Sequence, residues 1–259
     1  MRNIKLVLSY DGTAYAGWQR QLGQISIQQV VEEAIVRLTQ TPVTLHGAGR
    51  TDAGVHAEGM TANFKTESVF ALSGLVNGLN SMLPESIRVL AAENVANDFH
   101  ARYNATGKVY EYIFITTEIM PPCLRLYATQ IKGSFICDPV RLCLPMLVGT
   151  HDFSSFEAAG SRDLSSSRGR GAVRTIFTAD LAEVGQGSAV YRLTISGDGF
   201  LRHMVRNIVG TLFAVGRGRV TPSDFQEILT SRDRSLAGNT APAKGLTLKT
   251  VLYLGAVKK

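Results

Sequence analysis

The alternation of apolar and polar positions divides the chain into short strands and amphipathic helices. Ile4, Leu6, Leu8 and Tyr10 alternate with Lys5, Val7 and Ser9, a period of two that predicts a strand ended by the turn Asp11-Gly12. From Ser26 the period becomes helical: Ser26 and Gln29 read as a capping box, and Ile27, Val30, Val31, Ala34, Ile35 and Leu38 fall on one face. Short strands are expected at 43–46 and 87–90, and a longer one over 55–64. Between them a second helix carries Leu72, Leu75, Val76, Leu79 and Leu83 and stops before Pro84. In the strand 108–115, Tyr110, Tyr112 and Phe114 share one face.

The second half runs a similar programme. A helix over 138–148 precedes a loop rich in Ser, Gly and Arg at 158–174, then strands at 175–184 and 189–196. A helix over 200–215 buries Met204, Val205, Ile208, Val209, Leu212 and Phe213; Thr221-Pro222 opens another, and 245–252 closes the chain as a strand. Helices and strands interspersed in this way predict an α+β protein. The expected architecture is two similar α/β lobes, residues 1–105 and 106–259, with mainly antiparallel sheets meeting at a central basic cleft.

Composition adds a class and a compartment. At 259 residues with 45% hydrophobic and 19% charged positions, the chain is long enough for a substantial core. Its formal net charge of +6 is arginine-rich, which suits phosphate without requiring it. Cys123, Cys137 and Cys143 are odd in number and lack C-x-x-C spacing, which argues for a reducing compartment. The first apolar run is too short and too alternating for a signal peptide, and no stretch reaches the length of a membrane span. A cytoplasmic protein without membrane contact is expected.

Candidate chemistry concentrates in Gly49-Arg50-Thr51-Asp52-Ala53-Gly54-Val55-His56. It sets one carboxylate in a glycine-flanked turn between strand-like segments, with an arginine two residues before it. Two readings stand for Asp52: a turn acid that caps backbone amides, or a carboxylate poised for nucleophilic or base chemistry. Gly47-Ala48-Gly49 begins like a dinucleotide fingerprint, but Asp52 occupies the third glycine position, where a pyrophosphate would meet a like charge. No phosphate-binding G-x-x-x-x-G-K-[ST] run, no His/Cys pair with metal-ligand spacing and no nucleophile elbow occurs, so neither ATP nor a metal is implied.

Further along, Arg202 and Arg206 are four apart in the expected 200–215 helix and share a face beside its apolar stripe. Arg202 reads equally as a solvated rim or a functional group. Arg206, bracketed by Val205 and Ile208-Val209, reads as a part-buried guanidinium needing a carboxylate, for which Asp52 is a candidate. Tyr110 is either core or a ring that stacks on a base. Trp18, with Gln19, Arg20 and Gln21, has the composition of a phosphate- and base-contacting loop. Arg162, Arg168, Arg170 and Arg174 are either solvated or an RNA clamp.

Together these residues resemble the tRNA pseudouridine synthase A family. The resemblance is carried by Tyr10-Asp11-Gly12 with Gly17-Trp18-Gln19-Arg20, by the Asp52 run, by Asp98-Phe99-His100-Ala101-Arg102 and by Tyr110-Glu111-Tyr112. It continues through Phe153-Ser154-Ser155-Phe156, the run from Phe200 to Gly210, and Ala241-Pro242-Ala243-Lys244-Gly245-Leu246, so it spans the chain in order. Lys108-Val109 departs from it, where more arginine would be expected. The resemblance implies the pseudouridine synthase fold and isomerisation of uridine at positions 38 to 40 of the tRNA anticodon stem-loop. It further implies a homodimer and no cofactor.

It also assigns roles. Asp52 would be the catalytic carboxylate, Tyr110 would stack on the target base, and Arg206 would pair with Asp52. Leu246 would help wall the pocket, and Arg50 would hold it open after the nucleotide flips. Trp18, Arg20, His56 and Arg202 are the further expected RNA contacts. Two rival functions remain: a tRNA-binding or RNA-chaperone module without turnover, and an Asp-dependent hydrolase of a small uncharged substrate.

Overall fold

The computed structural model describes residues 1–161, 171–185 and 187–254. The expected clamp residues Arg162, Arg168 and Arg170 lie outside them. The chain divides into two compact units: Met1–Lys108 together with the segment from Thr247, and Val109–Leu246.

The first unit contains β1 (Arg2–Tyr10), α1 (Ile27–Thr39), β2 (His46–Gly47), β3 (His56–Thr66), α2 (Leu72–Met82) and β4 (Ile87–Val95). The alternation predicted for β1 is realised, since Ile4, Leu6, Leu8 and Tyr10 are all buried. β1 lies antiparallel between β3 and β4, with Leu6 opposite Ala62 on one side and Ala92 on the other. Its register with β3 shifts between Leu8 and Tyr10, where the strand leaves the ladder for the Asp11 turn. The helices contribute Ile27, Val31, Ile35, Leu75 and Leu79 to the core. At the start of α1 only half of the capping box forms: Ser26 Oγ accepts from Gln29 N at 3.3 Å, while the Gln29 amide donates to Glu33 at 2.9 Å.

In the second unit, β5 (Ala105–Ile115, crossing in from the first) is followed by β6 (Thr129–Gln130), α3 (Cys137–Leu147), β7 (Gly149–Asp152), β8 (Val173–Glu183) and β9 (Val190–Gly197). Two helices, α4 (Met204–Gly216) and α5 (Pro222–Ser231), complete it. The strands run in the order β5-β9-β8-β7, with β8 antiparallel to both neighbours and β6 parallel to β5. Phe114 and Phe213 meet at 5.2 Å, joining strand β5 to the core helix α4. α5 has a full capping box, Thr221 with Asp224, and Pro222 at its first position.

The last strand, β10 (Leu246–Tyr253), departs from the expected lobe assignment. From Thr247 on it belongs to the first unit and pairs in parallel with the start of β3, Thr247 opposite His56. Parallel pairing needs a long crossover, and the whole second unit supplies it. Two further expectations change. Residues 43–45 form no strand, pairing beginning only at His46. Helix α4 starts at Met204 rather than 200, because His203 at its cap is left-handed (φ 61°). Arg202 therefore precedes the helix and shares no helical face with Arg206.

Candidate active site

Asp52 follows the exit from β2 and opens a four-residue turn. Val55 N donates to Asp52 O at 3.1 Å, and Gly54 has φ +77°, the positive value that a type II turn requires at its third position. The carboxylate is half-buried and Arg50 is exposed. Thr51, immediately before Asp52, is buried and its hydroxyl shares a 2.8 Å hydrogen bond with the Tyr10 hydroxyl at the end of β1.

The segment after β1 is laid against this turn, backbone on backbone. Trp18 N donates to Thr51 O at 3.0 Å. A Cβ on Gly17 (φ +90°) would lie 2.4 Å from Thr51 O, and one on Gly12 would lie 2.0 Å from Val55 O. Only glycine permits that approach. Asp11 closes its own turn by accepting from Thr13 N at 2.9 Å. Nδ1 of buried His56 accepts from Gly12 N at 3.1 Å and lies 3.2 Å from Asp11 Oδ1. The Asp52 turn is thus fixed at both ends, by Tyr10 on Thr51 and by the Asp11-Gly12 turn at Val55 and His56.

Two expected RNA contacts of this unit are placed differently. Trp18 is 3% exposed, its ring against Gly47, where a Cβ would lie 2.5 Å from the indole. His56 is 3% exposed and faces Asp11 and Gly12. Apolar area and backbone donors hold both inside, so they shape the turn rather than present a surface to a ligand. Arg20 is exposed and its guanidinium lies 3.5 Å from the Glu32 carboxylate.

In the second unit Tyr110 is 8% exposed and meets Phe200 edge to face at 5.1 Å and 85°. Two residues on, Tyr112 is fully buried; its hydroxyl donates to Pro242 O at 2.8 Å and lies 2.7 Å from Thr129 Oγ1. Burial pushes the Tyr112 hydroxyl well above the usual tyrosine range, with Thr129 and the Arg206 charge pulling the other way. It stays protonated and structural. Arg206 is part-buried in the first turn of α4 and ties that turn to the chain after α5: its Nε donates to Ala241 O at 2.8 Å, and Ala241 N donates to Arg206 O at 3.0 Å. Arg202 is exposed, its carbonyl accepting from Ala158 N at 2.9 Å. Leu246 is 5% exposed and follows Gly245, which lies so close to the Tyr112 ring that a Cβ would stand 2.6 Å from it.

Motif reasoning left several supports unassigned. Tyr10 on Thr51 and Gly12 on His56 hold the Asp52 turn through contacts 41 and 44 residues apart, which no local period reports. Asn207, 0% exposed, donates to Phe156 O at 2.8 Å and accepts from Thr240 Oγ1 at 2.6 Å and from Arg234 Nη2 at 3.1 Å. Among the described residues no group of three His, Cys, Asp or Glu could hold a metal ion, and no helix is long and apolar enough to cross a membrane.

Comparison with known proteins bears on the same residues. The family described as tRNA pseudouridine synthase matches residues 6–104 and 144–253, which include the Asp52 turn, Arg206 and Leu246. The chain belongs to the tRNA pseudouridine synthase family. The tRNA pseudouridine synthase A 1 of Desulfotalea psychrophila is 47% identical over 253 residues, covering 98% of this chain and all of that protein. The tRNA pseudouridine synthases A of Geobacter sulfurreducens and Clostridium acetobutylicum are 42% and 41% identical, with the same coverage. As a member of the family this synthase is an isomerase that converts uridine in tRNA to pseudouridine.

Proposed function

We propose that this synthase acts on uridines 38 to 40 of the anticodon stem-loop with Asp52 as its catalytic carboxylate. The observation that carries the reading is the way Asp52 is held. A half-buried carboxylate opens a type II turn whose flanking residues are pinned by Tyr10, Gly12 and Gly17. A capping acid needs no such scaffold; a reacting one needs its position fixed before substrate arrives.

The reaction detaches uracil from C1′, turns it and rejoins it through C5, with no net redox change and no hydrolysis. Two routes fit a positioned carboxylate: attack on a carbon of the nucleotide, or removal of the sugar's C2′ proton. Either requires the target nucleotide to leave its stack, at a cost of a few kcal/mol. Arg50, exposed two residues before Asp52, is proposed to hold the gap left by the flipped base, and Arg20 and Arg202 to meet phosphates. Tyr110, Arg206 and Leu246 are proposed as the further residues that handle the base, on the resemblance that names them. Trp18 and His56 support the turn. The enzyme is further proposed to work in the cytoplasm as a homodimer, to be checked by light scattering of the purified protein.

The test is Asp52→Asn with an unmodified tRNA transcript. Pseudouridine formation should fall by at least about a thousandfold, as losses of a nucleophile or base do, while the Kd for tRNA stays within about threefold, as for a group that acts on the reacting atoms. Unchanged turnover would overturn the assignment of Asp52. Mapping pseudouridine in tRNA from cells lacking the protein tests the positions: uridine should return at 38 to 40, and loss elsewhere would redirect the proposal.

A further inference from the structure

Outside the Asp52 turn, the first unit carries a cluster of tilted rings that the roles above do not use. The rings of His46 and His100 lie 5.0 Å apart at 38°, and those of His100 and Tyr103 lie 4.3 Å apart at 37°. The Arg102 guanidinium carbon is 5.9 Å from the Tyr103 ring centre. Tyr103, at the outer end, is 77% exposed, and His46 and Arg102 are exposed as well.

The platform beneath these rings is built and fixed. Asn63, 2% exposed, donates to Asn3 Oδ1 at 3.0 Å and accepts from Ala101 N at 2.8 Å. Asn3, 1% exposed, donates to Ala96 O at 2.9 Å and Phe99 O at 2.8 Å, and the Tyr253 hydroxyl donates to Ala101 O at 2.7 Å. Polar groups from β1, β3 and β10 therefore hold residues 96–101 in one conformation. His100 is oriented in turn: its amide donates to Asn104 Oδ1 at 2.7 Å, and its Nδ1 accepts from Arg102 N at 3.1 Å, which leaves the proton on Nε2. Burial first, then the charges of His46 and Arg102, hold His100 below the ordinary histidine range, so its ring is neutral at neutral pH.

The ring cluster is also close to Asp52 along the chain. His46 is six residues before Asp52, at most about 22 Å of extended chain. Between them the Lys108 side chain packs over Gly49, where a Cβ would lie 3.1 Å from Lys108 Cε, and Arg50 follows. Rings, a lysine and arginines among these residues, on a chain of net charge +6, have the chemistry of a single-stranded nucleic-acid track, in which bases stack on aromatic faces and cations follow the phosphates. Two histidines without a third ligand do not make a metal site, and no such cluster exists among the described residues.

We propose that Tyr103 is the stacking platform for an unpaired base of the tRNA substrate, with Arg102 on a neighbouring phosphate. The proposal rests on tRNA being the substrate. Its test uses the full-length protein and an unmodified tRNA transcript. Tyr103→Ala should raise the Kd, and KM with it, by about tenfold, with the effect on KM rather than kcat, and Tyr103→Trp should restore binding. Arg102→Ala should lower the log–log salt slope of binding by about one. A wild-type Kd in Tyr103→Ala would overturn the proposal. So would an altered oligomeric mass with tRNA affinity intact, which would make the patch a protein interface. Failure of the unaltered protein to bind the transcript would instead overturn the tRNA reading itself.

Discussion

The glycines that flank the Asp52 turn are the sharpest constraint at the scale of single residues. Gly17 combines φ +90° with a neighbour 2.4 Å from any Cβ, so alanine there meets both backbone strain and a fixed carbonyl. Gly17→Ala should cost upward of about 1–3 kcal/mol, the range for a strained left-handed residue. It should also reduce turnover beyond the stability loss, because the carbonyl it displaces belongs to Thr51, next to Asp52. Chemical denaturation beside kcat on a tRNA transcript checks both; a variant of normal stability and normal kcat would mean the turn tolerates the shift. Tyr10→Phe is the milder probe of the same anchor. It removes one buried hydrogen bond to Thr51 and should cost about 1 kcal/mol in the same denaturation experiment.

Elements were legible in the sequence where a single period governs them, and illegible where distant backbone sets the boundary. The β1 alternation and the Thr221-Pro222 start appear as read, and the centre of the α1 face (Ile27, Val31, Ala34, Ile35) does too, because local pattern and burial agree there; Val30 and Leu38 are only part-buried, and Glu32 is buried beside them. The start of α4 was misread by four residues, since the apolar period continues through Phe200 and Leu201 while His203 turns left-handed. Nothing in the local pattern announces that φ. The return of β10 to β3 was also hidden: its sequence reads as a strand, but its partner lies some 190 residues earlier, Thr247 opposite His56. At the proposed site, the turn that holds Asp52 was legible from its glycines. The burial of Trp18 was not, because a ring beside an arginine looks the same in sequence whether it faces Gly47 or solvent. One prediction belongs to α4 as an element. Gly210 lies against the backbone of Asn239, where a Cβ would be 1.7 Å from the carbonyl oxygen. Gly210→Ala should therefore push the 238–241 segment away and loosen Arg206 from Ala241. Protection of the Ala241 amide against hydrogen exchange should fall well before global unfolding, and unchanged protection would show that the segment adapts.

Across the whole molecule, two strands are shared between the compact units. β5 passes the boundary after Lys108, and β10 passes it after Leu246. Melting either unit alone would have to break a continuous strand at both crossings, so the chain should unfold as one cooperative system. The sequence supplies a reporter in each unit. Trp18, the single tryptophan, is 3% exposed in the first, and Cys143 is 0% exposed in the second. Burial pushes the Cys143 thiol up to about 11, so at pH 8 roughly one molecule in a thousand carries the reactive thiolate. Exposed Cys123 gives the labelling control. Iodoacetamide should modify Cys123 in the folded protein and reach Cys143 only over the denaturant range in which Trp18 fluorescence changes. Coincident midpoints are the expected outcome. Labelling of Cys143 at a denaturant concentration that leaves Trp18 emission native would mean that Val109–Leu246 opens alone, and that the shared strands do not couple the units.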